Sequence, residues 1–121
     1  MDKNIELYKK FMEGLLENRT DLSAQNLREG KRVFPAIDEE KLRDFCNSLS
    51  GENKIILADI IQQTRDNAIF DVLEYLDENI NLHDLKISQN DVEFPNDFWG
   101  GDFHCDWAGL CQGDMWGENR K

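Results

Sequence analysis

Residues 52–82 read ENKIILADIIQQTRDNAIFDVLEYLDENINL, and their periodicity decides the fold class. Apolar residues recur as Ile56, Ile60 and Ile61, then as Ile69, Val72, Leu73, Leu76 and Ile80. Spacings of three and four lay one apolar stripe along a helix. Asp71, Glu74, Asp77 and Glu78 keep the opposite side charged. Across Thr64-Arg65-Asp66-Asn67 every side chain is polar and the stripe changes phase. That break favours two helices, or one helix bent at this point.

Upstream, residues 4–17 give a first helix, with Ile5, Tyr8, Phe11, Met12, Leu15 and Leu16 as its stripe. A short helical piece from Ser23 is stopped by Gly30. Phe34-Pro35 breaks the pattern, because proline biases the residue before it away from helix. Another helix follows Asp38 as N-cap, with Leu42, Phe45, Cys46 and Leu49 as its expected buried stripe. Ser50 is placed to cap the stretch after it.

After Leu82 the period drops from near 3.6 to two. Leu85 and Ile87 flank Lys86, Val92 and Phe94 flank Glu93, and Ser88-Gln89-Asn90-Asp91 supplies turn chemistry. This predicts a hairpin ended by Pro95. Residues 94–121 hold six of the twelve aromatics and five of the eight glycines. Phe103, Cys105, Trp107 and Cys111 can share one strand face, and Asp102, His104 and Asp106 the other. A third strand over about 102–108 would support a hairpin that is marginal alone. The expected fold is a single α+β domain over residues 1–121. Four or five helices fill the first two-thirds, and a small antiparallel sheet of about three strands follows.

Charge is unevenly distributed. The net charge is −11. Residues 1–65 carry 12 acids and 11 bases, whereas residues 66–119 carry 13 acids and the single base Lys86. Such a surface repels phosphate, which argues against nucleic acid and anionic membrane as partners and in favour of a basic protein. No run approaches the roughly 18 apolar residues of a membrane span. The N-terminus has no signal-peptide core, so a cytoplasmic location is expected. Three cysteines agree with a reducing compartment.

Asp102, His104 and Asp106 are the sharpest candidate constellation. On a strand they would point the same way, and two carboxylates flanking an imidazole suit acid–base work or a divalent metal. A zinc site from His104, Cys105 and Cys111 is disfavoured, because adjacent strand residues face opposite sides. No cofactor is expected. Trp99 and Trp116 lie beside glycines and near Asp97, Asp102 and Asp114, so they are candidate anchors for a cationic partner. His83, at a helix-to-strand junction, reads as capping or exposed.

The segment Asn67-Ala68-Ile69-Phe70-Asp71-Val72-Leu73 and the tail Phe103-His104-Cys105-Asp106-Trp107, then Cys111-Gln112-Gly113-Asp114-Met115-Trp116, carry a resemblance. Over roughly residues 5–118 the order resembles a family of small bacterial proteins of unknown function. Its pattern is an I-x-D-V-L-x-x-L helix, a Leu-Lys-Ile-Ser hairpin and an H-x-D-W … G-D-x-W tail. The family pattern has His where this chain has Phe70. The resemblance implies little about activity; by analogy of size and acidity alone, the chain is similar to immunity proteins that neutralise a toxin. The function expected is therefore non-enzymatic binding of a basic, toxin-like protein through Trp99, Asp102, His104, Asp106, Asp114 and Trp116. The alternative is a metal-dependent or acid–base enzyme using Asp102, His104 and Asp106. Monomer and homodimer both stay open.

Overall fold

A computed structural model describes residues 2–31, 40–95, 98–99, 102–114 and 116. Its elements are α1 (Lys3–Glu17), α2 (Leu22–Glu29), α3 (Glu40–Ser48), α4 (Gly51–Leu82), β1 (Ser88–Gln89), β2 (Val92–Glu93) and α5 (Phe103–Cys111). The chain divides into two compact units, residues 19–67 and residues 1–18 with 68–121. The predicted N-cap Asp38 and the Phe34-Pro35 break lie outside the described residues.

In the unit of residues 19–67, Asp21 caps α2 by accepting from the Ala24 N–H at 3.1 Å. Gly30 ends α2 at φ 71°, and the Lys31 N–H reaches back to the Asn26 carbonyl at 2.8 Å. That left-handed step is one a side chain resists, which explains the glycine. Ala24, Leu27, Cys46 and Ala58 form a small core, with Leu57 and Ile61 packed on it. The stripe expected on α3 is only partly used. Cys46 is buried, Leu49 half-buried, and Leu42 and Phe45 lie exposed. Ile56 and Ile60 are likewise exposed, and small Ala58 is the residue sealed inside.

Of the two readings of the central stretch, two separate helices is overturned: α4 is one helix of 32 residues. Neither proline nor glycine interrupts residues 52–82. Ser50 caps it as predicted, accepting from the Asn53 N–H at 3.1 Å. The polar run in its middle is polar because it has partners. Arg19 makes two bonds to Asp66, at 3.0 and 2.6 Å. Gln62 donates to the Arg19 carbonyl and accepts from the Asp21 N–H, both at 2.9 Å. A bidentate guanidinium–carboxylate pair is among the stronger polar contacts.

In the unit of residues 1–18 and 68–121, Tyr8 and Met12 of α1 meet Leu73 of α4, Phe94, Trp99, and Phe103, Trp107 and Leu110 of α5 in one core. The hairpin forms, with Ser88 opposite Glu93 and Gln89 opposite Val92. Its turn is only two residues, Asn90 at φ 54° and Asp91 at φ 61°. Two consecutive positive φ values mark the hairpin turn whose twist matches the strands. Asp91→Gly is therefore expected to stabilise the protein by about 0.5–1 kcal/mol, since glycine avoids the left-handed penalty. A denaturant melt that stays unmoved or shifts downward would contradict this.

The third strand is not there, and among the described residues the sheet has two strands. Residues 103–111 are helix α5 instead. Alternation over Asp102–Trp107 mimics a strand, but Phe103, Trp107, Leu110 and Cys111 also fit helical spacing of four, three and one. Burial follows the helical set.

Candidate functional site

The N-terminal turn of α5 gathers the titratable groups. Asp102, just ahead of the helix, accepts from the Cys105 N–H at 3.2 Å through Oδ1. Asp77, from α4, accepts from the Phe103 N–H at 3.1 Å and from the His104 N–H at 2.9 Å. Two carboxylates thus satisfy three of the four N–H groups that a helix start leaves unpaired.

His104 sits among them. Its Nδ1 lies 2.6 Å from Asp77 Oδ2 and 3.4 Å from Asp102 Oδ1. Its Nε2 faces Glu74 Oε2 at 3.9 Å. Phe70 meets the imidazole edge-on, with centroids 5.0 Å apart. Asp77 is 3 % exposed. A buried carboxylate on one ring nitrogen fixes an imidazole's orientation. Phe70 is a wall of this site.

Asp106 does not join His104. A helix turns it about 200° from residue 104, and it accepts from the Tyr8 hydroxyl in the core. Burial, and then the Asp106 hydrogen bond, push the Tyr8 hydroxyl far above its ordinary range. It stays a donor to Asp106. Burial and the adjacent Asp102 carboxylate push the Cys105 thiol up to about 11. At neutral pH it is a thiol and a poor nucleophile. Cys105 and Cys111 form no disulfide, as expected, but on one helix they are roughly 9 Å apart along the axis, not on a strand.

The six sequence candidates therefore do not share one face. Asp102 and His104 meet at the start of α5. Asp114 follows its far end, where its N–H bonds to the Gly109 carbonyl at 2.9 Å. Trp99 is 5 % exposed, a core residue rather than a free anchor. Trp116 is half-buried, its ring 4.6 Å from that of Trp99, and its Nε1 donates to Glu13 at 3.0 Å. His83 is exposed just past α4. Asp77 and Glu74 were missed as partners of His104, and Cys105 was set aside on a strand geometry that α5 does not have. Nothing local in the sequence pairs residue 77 with 104, although Asp102 before Phe103 and Trp107 is an N-cap signature.

The fold and the site define a mostly helical protein with a small hairpin and a carboxylate-held histidine at a helix start. A family model described as a family of unknown function, DUF6547, matches residues 1–118, and the chain belongs to that family. No curated protein and no solved structure matches the chain.

Proposed function

We propose that the protein is a non-enzymatic binding module that docks a cationic protein on the outward face of α4 beyond Asn67. An immunity-type role, with a basic toxin as the partner, is the concrete form. One observation carries the reading. Asp71, Tyr75, Glu78 and Leu82 follow at spacings of four, three and four, and all four are exposed. Val72 and Glu74, also exposed, flank them, and residues 66–82 contain no Lys or Arg.

These charges work against the helix that carries them. Glu74 and Glu78 repel across one turn, and Glu78 lies near the negative end of the helix dipole. Large apolar groups left wet among acids, at a local cost, suit a partner that brings both cations and an apolar contact. Tyr75, 65 % exposed, takes the anchoring part that the sequence suggested for Trp99 and Trp116.

The test is a binding titration against whichever basic protein the intact chain retains from its source cell. The affinity is expected to fall at least about tenfold between about 0.01 and about 0.15 M ionic strength, as the screening length shrinks from ~30 to ~8 Å. Tyr75→Ala and Glu78→Lys should each abolish retention while leaving the melting temperature in place. A partner held equally at both ionic strengths, or held equally by both variants, refutes the proposal.

A further inference from the structure

We propose that Asp77, Asp102, His104 and Cys105 form a site for one divalent metal ion of the zinc class. The Asp102 carboxylate, the His104 ring and the Cys105 sulfur each bring a ligand atom within 4.8 Å of the others. Asp77 Oδ2 stands outside that trio but lies 2.6 Å from His104 Nδ1, which makes it the fourth ligand of the proposed site, and Asp102 Oδ1 lies 3.4 Å from the same nitrogen. Zinc bonds of about 2.0–2.2 Å to nitrogen and oxygen, and about 2.3 Å to sulfur, separate tetrahedral ligands by roughly 3.3–3.7 Å. The Asp102–His104 spacing already fits, and the Asp77–His104 contact needs to open by less than about 1 Å.

The helix makes this possible. On a strand His104 and Cys105 would diverge, whereas the first turn of α5 keeps both beside Asp102. One sulfur, one nitrogen and two oxygens select a borderline ion over calcium or magnesium, which take oxygen alone.

Two features outside the donor set point the same way. His104 Nε2 faces the Glu74 carboxylate at 3.9 Å. A metal-bound imidazole commonly turns its other nitrogen to such a carboxylate. Charge is the second feature. Asp77 is buried and Asp102 half-buried, and among the described residues no Lys or Arg pairs with either. The helix N–H groups offset part of that charge, and among the described residues His104 is the one basic side chain bonded there. A dication balances the remainder. On coordination the thiol proton leaves to solvent, and the imidazole proton moves from Nδ1 to Nε2, opposite Glu74.

The experiment uses the full chain, stripped with a chelator and titrated with cobalt(II) alone. One ion per chain should saturate it and give the near-ultraviolet sulfur-to-cobalt charge-transfer band, which zinc(II) then abolishes. Cys105→Ser should remove the band, Cys46→Ser and Cys111→Ser should keep it, and Glu74→Gln should weaken binding about tenfold. On the wild-type chain, zinc should move the ring-nitrogen resonances of His104 and leave those of His83 in place. This second readout holds whether or not Cys105→Ser folds. A wild-type chain with no such band, a band that survives Cys105→Ser, or His104 resonances that ignore zinc would overturn the site.

Discussion

Asp77→Ala is expected to lower stability by about 3–5 kcal/mol, the cost of removing one side of a buried charged contact. The carboxylate is 3 % exposed and holds the Phe103 N–H, the His104 N–H and the His104 ring together. Alanine leaves two helix-start donors and an imidazole nitrogen without that acceptor, in a place water reaches poorly. Asp102 still caps Cys105, so the loss falls on the seam between α4 and α5. Chemical denaturation should show the whole deficit, and Asp77→Asn should recover part of it by keeping an acceptor oxygen. A drop of under about 1 kcal/mol for alanine, the size of one ordinary hydrogen bond, would show that α5 does not depend on Asp77.

Trp107→Ala should cost a similar amount, about 3–5 kcal/mol, for a different reason. Trp107 is 1 % exposed at the centre of the core shared by α1, α4 and α5. The neighbouring rings are large and interlocked, Tyr8 against Phe103 at 5.2 Å and against Phe94 at 6.0 Å, so the space left by the indole is slow to collapse. Phe45→Ala supplies the contrast. That ring is 57 % exposed, and its removal should change stability by no more than about 0.5 kcal/mol. Comparable losses for the two variants would place the core elsewhere. Thermal melts of both variants decide it.

The helices of the first two-thirds were legible because their signals are local. Apolar spacing marks α1, Gly30 stops α2, and Ser50 caps α4 where expected. The hairpin was legible too, through alternation on either side of Asn90-Asp91. Misreadings arose where a short pattern fits two periods. Asp102-Phe103-His104-Cys105-Asp106-Trp107 alternates like a strand and also repeats like a helix, and six residues are too few to separate them. The polar run 64–67 misled in another way. It favoured two helices over one, whereas Asp66, with Gln62 one turn ahead of it, partners Arg19 and Asp21 along a single helix. Burial stripes on α3 and early α4 were over-assigned, because apolar spacing says which face could be covered and not whether anything covers it.

By itself the sequence determined a predominantly helical chain ending in a hairpin and a ring-rich tail, and it placed 13 of the 25 acids after residue 65. These follow from composition and from contacts between near neighbours in the chain. Only the tertiary structure joined Asp77 to His104, 27 positions away, and Tyr8 to Asp106, 98 positions away. The same packing sealed Trp99 and left Tyr75 in solvent. Which carboxylate finds which donor is set by how α1, α4 and α5 pack, and chain-local periodicity carries no information about that distance.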